Sequence, residues 1–147
     1  STNRGRFDRK EGTIEFDRAA RTGKVDISID VRSVSTGWPA FEKHLQSADL
    51  FDAEKFPTMR FVSERFVFDG DKVSEVAGQL TLKGLTHPVV LKATKFTCYD
   101  NRMLKRDVCG GDFTAVVDRT LWGMNYGIAF GYTKEARLVV QVEAIKQ

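Results

Sequence analysis

The stretch Val25-Asp26-Ile27-Ser28-Ile29-Asp30-Val31 alternates apolar and polar residues without a break. Successive side chains of a β-strand point to opposite faces of a sheet, so a period of two places the four apolar side chains together on one face. An amphipathic helix would repeat its apolar residues every three or four positions instead. The stretch therefore predicts a half-buried strand that faces an apolar interior.

The same alternation recurs along most of the chain, and turn signals such as Asp69-Gly70-Asp71 and Lys83-Gly84 separate the alternating segments. Short turns between such segments are typical of antiparallel neighbours. The sequence thus predicts an all-β, up-and-down meander. We expect strands near 4–17, 24–32, 58–68, 72–83, 87–98, 109–119 and 135–145.

In the first of these segments, the apolar residues change from odd to even positions partway along the predicted strand. Phe7 is at an odd position, whereas Ile14 and Phe16 are at even ones. A β-bulge at Gly12 would restore a single inward face. The count of seven strands is also odd, and a closed barrel of antiparallel neighbours needs an even number. Either the sheet is open or one strand is missing.

The long crossover that precedes the strand near 58–68 interrupts the alternation. Within it, Pro39 suits the first turn of a helix, and Phe41 and Leu45 then share one helical face. We predict a short helix near 38–48, capped by Thr36 or Trp38, that acts as a plug or lid.

Composition favours one domain over residues 1–147. The chain is 41% hydrophobic, and no apolar run approaches the ~20 residues that a membrane-spanning helix needs, so we expect no stable membrane insertion. The net charge of +3 arises from 23 basic and 20 acidic residues that are interleaved. The densest basic cluster, Arg102, Lys105 and Arg106, is too narrow and too poor in stacking aromatics for a nucleic-acid surface.

Cys98 and Cys109 flank a polar stretch between two predicted strands. Their spacing suits a disulfide that staples a hairpin, with two reduced core cysteines or a structural zinc as the alternatives. A disulfide persists mainly in an oxidising compartment, which favours an exported protein.

No catalytic or metal-binding motif is present. His44 and His87 are unpaired at helical spacing and adjoin no recognised nucleophile motif, so we expect neither an enzyme nor a metal site.

The excess of aromatic residues, eleven Phe, two Trp and three Tyr, favours either a densely filled core or a ligand cavity. Together with a barrel and a lid, it leads us to predict an apolar ligand site. Its predicted lining residues are Phe7, Ile14, Phe16, Ile27, Ile29, Trp38, Phe41, Leu45, Phe51, Phe61, Leu80, Phe113, Trp122, Met124 and Tyr126.

Several motifs in order resemble one bacterial family over nearly the whole chain, the YceI-like polyisoprenoid-binding proteins. The resemblance rests on the following segments: Gly5-Arg6-Phe7, Gly12 to Asp17, His44 to Asp52, Phe56 to Phe61, Gly78 to Val89 and Arg119 to Tyr126.

The resemblance implies a lipocalin-like, eight-stranded antiparallel barrel in the periplasm, with the signal peptide not in this chain. It also implies that a long isoprenoid lipid, polyprenyl or ubiquinone-type, lies inside as ligand, with no cofactor and no catalytic residue to carry over. Members of the family usually begin with one more strand, so the domain is expected to be N-terminally incomplete. Unpaired edge strands would then favour a homodimer or strand exchange.

We therefore expect a protein that carries or sequesters an isoprenoid lipid. The alternatives are an enzyme that acts on a lipid or quinone in the same cavity, with His44 or Tyr126 polarising the head group, and a filled-barrel module that binds another protein.

Overall fold

The computed structural model describes residues 4–145, which form a strongly curled antiparallel half-barrel with one short helix. Seven strands make up its main sheet in the order β2-β3-β5-β6-β7-β8-β9, and two short strands, β1 and β4, pair separately. The strands are β1 (Arg6–Phe7), β2 (Lys10–Asp17), β3 (Thr22–Asp30), β4 (Val34–Ser35), β5 (Thr58–Asp69), β6 (Lys72–Leu82), β7 (Leu85–Asn101), β8 (Arg106–Asp118) and β9 (Glu135–Ile145).

Every neighbouring pair in the main sheet is antiparallel, which confirms the predicted meander. Within residues 4–145, β2 and β9 each have one sheet neighbour, so the half-barrel is open between them. The predicted all-β, lipocalin-like class is therefore confirmed, and of the two outcomes that the odd strand count allowed, the described residues show an open sheet.

The predicted bulge at Gly12 is wrong. The β2–β3 register runs without a shift from Lys10 opposite Ile29 to Asp17 opposite Thr22. The inward-facing positions change instead because the chain leaves the main sheet before β2, where Phe7 of β1 pairs with Val34 of β4. Gly12 is needed for another reason, since a Cβ there would collide with the carbonyl oxygen of Asp26.

The predicted helix is present as α1 (Pro39–Gln46), with Pro39 in its first turn. Trp38 is the N-cap residue but makes no side-chain cap. The Thr36 hydroxyl accepts from the Trp38 backbone N–H at 3.1 Å instead, which fixes the chain just before the helix. Two short 3-10 helices, Arg119–Trp122 and Ile128–Phe130, lie in the β8–β9 loop.

The β7–β8 hairpin is longer than predicted. We expected a polar loop from Tyr99 to Val108, but the strands stay paired as far as Asn101 opposite Arg106. The turn is confined to residues 102–105. Polar residues on a solvated two-stranded ribbon do not distinguish it from a loop, so the sequence pattern alone placed this boundary wrongly.

The two ends of the half-barrel differ. At the turn end, Arg18 of the β2–β3 turn links two other segments, since its guanidinium lies 3.5 Å from Asp71 in the β5–β6 turn and 3.7 Å from Asp107 on β8. At the other end, which we call the crossover end, β3 leads into α1 and β8 leads into the 3-10 loop.

Candidate functional site

The strand register places the predicted apolar faces side by side across the sheet. Ile27 lies opposite Phe61, and Phe61 lies opposite Leu80. Farther along the sheet, Phe113 lies between Ala93 and Val140. These inward-facing side chains belong to one hydrophobic cluster. We call the concave surface that they form the apolar trough.

The crossover end of the trough is closed by buried side chains from outside the sheet. Trp122 is 2% exposed and packs with Met124, Leu50 and Ala53 in the same cluster. Its indole N–H donates to the carbonyl oxygen of Leu80 at 3.1 Å. A buried indole N–H needs such an acceptor, so this bond anchors the β8–β9 loop to the middle of the sheet.

The open side of the trough lies between β2 and β9. Inward-facing apolar residues are buried on the central strands, as at Leu80 on β6 and Leu91 on β7, but many are only half-buried toward the two open edges. The half-buried side chains that pack against the core are Ile14, Ile27 and Ile29 on one side and Leu138, Val140 and Val142 on the other. The trough thus exposes apolar surface along the gap between the edges.

One polar side chain is buried in the described part of the trough. Ser63 is 5% exposed, and its hydroxyl donates to the Ala77 carbonyl oxygen at 2.5 Å and accepts from the Arg65 backbone N–H at 3.0 Å. These bonds lie at the irregularity between Val62 and Arg65 in the β5–β6 register. Ser63 therefore satisfies the backbone of a bulge.

Most of the predicted lining residues come together at the trough. Phe61, Leu80, Phe113, Trp122 and Met124 are buried in its cluster. Half-buried residues that pack against the same cluster are Phe7, Ile14, Ile27, Ile29, Leu45 and Phe51. Phe16 is half-buried and meets Phe96 edge to face, with ring centroids 6.1 Å apart.

The other three predicted lining residues lie around α1 at the crossover end. Trp38 is 60% exposed and lies beside Phe41, with ring centroids 6.1 Å apart. Tyr126 is exposed and meets His44 edge to face at 4.5 Å. These side chains form a rim outside the buried cluster. Whether any of the fifteen touches a ligand stays a prediction.

Sequence reasoning missed several residues of the trough. The alternation of Leu138, Val140 and Val142 was visible in the sequence, but these residues were not included in the predicted lining. Phe66 and Phe68 were harder to assign, because an extra β5 residue between Val62 and Arg65 moves the inward-facing positions of this strand from odd to even numbers. Bulges of this kind have no reliable sequence signal.

Two aspartates outside the trough, Asp26 and Asp118, have lowered pKa values. Arg60 donates two hydrogen bonds to the Asp26 carboxylate, at 2.9 and 2.6 Å, and this interaction holds the pKa of Asp26 below its ordinary value. At the crossover end, a hydrogen bond from the Thr120 hydroxyl lowers the pKa of Asp118. Both pairs are solvent-accessible and outside the trough.

Cys98 and Cys109 form a disulfide directly across the β7–β8 hairpin, as the sequence predicts. Among residues 4–145, no group of three His, Cys, Asp or Glu side chains is arranged to hold a metal ion. No helix in that range is long and apolar enough to cross a membrane.

Comparison with known proteins identifies relatives. The model of the YceI-like domain matches residues 1–144. A UPF0312 protein of Pseudomonas savastanoi is 37% identical over 91 residues, which cover 61% of this chain and 47% of the relative. The chain thus spans about half the length of this curated relative.

Two solved structures share the fold. The Campylobacter jejuni YCEI protein has a TM-score of 0.85 at 24% identity, with all of this chain and 86% of that chain covered. A polyisoprenoid binding domain from Saccharophagus degradans, implicated in plant cell wall breakdown, has a TM-score of 0.57 at 16% identity, with 86% and 71% covered.

Proposed function

Because the chain belongs to the family of YceI-like domains, we propose that it binds a long isoprenoid lipid in the apolar trough and carries or sequesters it. The observation that carries the proposal is the band of half-buried apolar side chains along the gap between β2 and β9. A polyprenyl or ubiquinone-type tail would cover this band. The domain from Saccharophagus degradans, which is described as polyisoprenoid-binding, supports the same ligand class.

The energetics of such a site need no charge pair. Burial of apolar surface contributes about 25 cal/mol per Å², so a tail that buries a few hundred Å² offsets much of the cost of association. An isoprenoid chain is flexible and branched, and it fits a surface lined by Ile, Leu, Val and Phe. The lipid is the ligand of this site, and we assign no cofactor to it.

A periplasmic location is part of the proposal. The Cys98–Cys109 disulfide supports it, because disulfides are retained in oxidising compartments. An apolar lipid that crosses an aqueous envelope compartment needs a protein that covers its tail. Carriage and sequestration both require this cover.

The test is to purify the protein from its native host, extract it with organic solvent and identify the extract by mass spectrometry. We expect an isoprenoid lipid in stoichiometric amount. A variant in which Val140 is replaced by Glu should yield much less of it, whereas the same change at the neighbouring outward-facing Val139 should not. Repeated extracts without lipid, together with no binding of added ubiquinone-type lipid, would overturn the proposal.

The same purified protein and its extracted lipid also distinguish the enzyme hypothesis from the carrier hypothesis. A lipid-modifying enzyme in this trough requires polar groups at the reacting centre, and the buried Ser63 hydroxyl is already bonded to backbone groups. The sequence suggested His44 or Tyr126 as the group that polarises the head group, and their rings meet edge to face with centroids 4.5 Å apart. Conversion of the recovered lipid by the wild type, lost in His44→Ala with binding retained, would favour the enzyme.

A further inference from the structure

We propose that the tip of the β7–β8 hairpin docks the protein on an anionic phospholipid surface. The hairpin tip, defined as residues 101–106, reads Asn-Arg-Met-Leu-Lys-Arg. It lies at the turn end of the half-barrel, away from α1 and the 3-10 loop. This inference goes beyond lipid binding in the trough, since docking would not require a lipid there.

The tip exposes apolar side chains that serve no folding purpose. Met103 is 94% exposed, which is the largest value among the exposed large hydrophobic residues, and Leu104 beside it is 47% exposed. Neither belongs to the hydrophobic core or packs against it. Two adjacent exposed apolar residues at the end of a ribbon can enter the interfacial layer of a membrane without any change in the fold.

Cations flank the apolar pair on both sides. Arg102 precedes Met103, and Lys105 and Arg106 follow Leu104. Within the described residues, none of these three cations lies within 4.0 Å of a carboxylate. Cations beside an exposed apolar anchor complement lipid phosphates, because the anchor enters the membrane while the charges remain at the headgroups.

Carboxylates lie behind the tip and do not cancel its charge. Asp100 and Asp107 face each other across the hairpin, one residue pair farther from the turn than Asn101 and Arg106. Asp107 also lies 3.7 Å from the Arg18 guanidinium, which is shared with Asp71 at 3.5 Å. The turn positions 102–105 thus carry cations and apolar groups alone.

The hairpin presents this tip rigidly and beyond the rest of the sheet. The β6–β7 pairing ends at Lys92 and the β8–β9 pairing ends at Val108, so within residues 4–145 the outer ribbon pairs only with itself. The Cys98–Cys109 disulfide joins its two strands at the base. Within the turn, the Asn101 side chain accepts from the backbone N–H groups of Met103 and Leu104, at 3.0 and 3.1 Å. A preformed tip loses little conformational entropy on docking.

A nucleic-acid partner is less consistent with the same residues. Single-stranded nucleic acids bind where aromatic side chains stack on bases, and the apolar residues of the tip are Met103 and Leu104. Phosphate contacts by the three cations would not explain the exposed apolar pair. An anionic lipid surface would contact both the three cations and the exposed apolar pair.

The experiment is co-sedimentation of the oxidised protein with phosphatidylcholine vesicles, with or without phosphatidylglycerol. We expect binding to the anionic vesicles, weak binding to the neutral ones, and loss of binding when NaCl is raised from about 0.1 M to about 1 M, which shortens the Debye length from ~10 Å to ~3 Å. Replacing Arg102, Lys105 and Arg106 by Gln should weaken binding about 100-fold. Replacing Met103 and Leu104 by Ser should weaken it about 10-fold or more.

Matched variants at the crossover end provide the controls. Gln at Lys10, Lys43 and Lys55 removes the same number of charges, and Phe130→Ser removes a side chain that is 77% exposed. Both should bind anionic vesicles like the wild type, and circular dichroism should show every variant folded. The proposal is overturned if the wild type ignores anionic vesicles, if the crossover-end variants lose as much binding as the tip variants, or if the tip variants bind normally. Tip-dependent binding of an oligonucleotide without vesicle binding would assign the surface to nucleic acid instead.

Discussion

The Phe61 ring on β5 lies directly over the backbone of Gly78 on β6. A Cβ built at residue 78 would come within 2.5 Å of the ring Cζ atom and within 2.5 Å of the Val62 carbonyl oxygen. Phe61 is buried in the core cluster and lies opposite Leu80 in the register, so the ring has no free space to move into. The aromatic ring therefore fills the place of the missing side chain at the floor of the trough.

Replacing Gly78 by Ala should lower the free energy of unfolding by about 1–3 kcal/mol, because the added methyl overpacks the Phe61 site. Gly110→Ala is the matched control in the same sheet, since its Cβ would meet one atom at the ordinary distance of 3.6 Å. Urea denaturation monitored by circular dichroism measures both. Equal stability of the two variants would contradict the overpacking.

Removing the disulfide by replacing Cys98 and Cys109 with Ala should cost roughly 2–3 kcal/mol, because the unfolded chain regains the entropy of an open loop. Denaturation of the oxidised wild type, the reduced wild type and the double variant tests this. The reductant should destabilise the wild type and leave the double variant unchanged. A reductant effect on the double variant would point to another cause.

Replacing Val140 by Glu should weaken the binding of a ubiquinone-type lipid about 10-fold or more, since a carboxylate in the trough loses its solvation when the tail covers it. Val139→Glu, one residue earlier on the outer face and 61% exposed in the wild type, should bind like the wild type. Fluorescence titration compares the two. If Val140→Glu does not fold, Val140→Thr provides the graded test, with a loss of a few-fold; normal binding by that variant would argue against a trough site.

The Asp26–Arg60 pair should make stability depend on pH at the acid end. The hydrogen bonds from Arg60 lower the folded-state pKa of Asp26 below its ordinary value, so the contribution of the pair is present above about pH 4 and is lost as the pH falls through the folded-state pKa. In Arg60→Gln, we expect the Asp26 pKa to rise toward its ordinary value. Carbon-detected NMR titration of the carboxylate measures it, and an unchanged pKa would exclude Arg60 as the cause.

Within residues 4–145, β2 and β9 each have a sheet neighbour on one side, and edge strands of this kind accept further strands, so we expect association between copies of the chain. Size-exclusion chromatography with light scattering should show a dimer whose population rises with protein concentration. A monomer across the whole concentration range would contradict this expectation.

Particular residues show how far the sequence predicts this fold. Val25, Ile27 and Ile29 alternate strictly, and their strand faces the core as expected. Pro39 marked the first turn of α1 correctly. The bulge assigned to Gly12 was wrong, because the chain instead changes sheets before β2 and a separate two-stranded pairing with β4 takes up Phe7. Such a pairing between distant segments leaves no local sequence pattern.

In the candidate site too, the sequence predicts some features and only the tertiary packing decides others. Trp38 and Phe113 are both aromatic and seemed equally suited to line a cavity, yet Phe113 is buried in the core and Trp38 is exposed beside α1. The sequence contains the apolar character of each residue but not the packing of the crossover against the sheet. The extra β5 residue between Val62 and Arg65 likewise decided that Phe66 and Phe68 face the trough.

By itself, the sequence determined that seven antiparallel strands form the sheet, favoured the Cys98–Cys109 disulfide and placed the apolar face of most strands, because each follows from local periodicity, from turn residues or from a single cysteine pair. Tertiary structure alone decided that, within the described residues, the sheet stays open between β2 and β9, Trp122 closes the crossover end, and the basic tip projects beyond its neighbours. These features depend on register, curvature and contacts between segments far apart in the chain. The residue pattern of a single segment does not determine such long-range geometry.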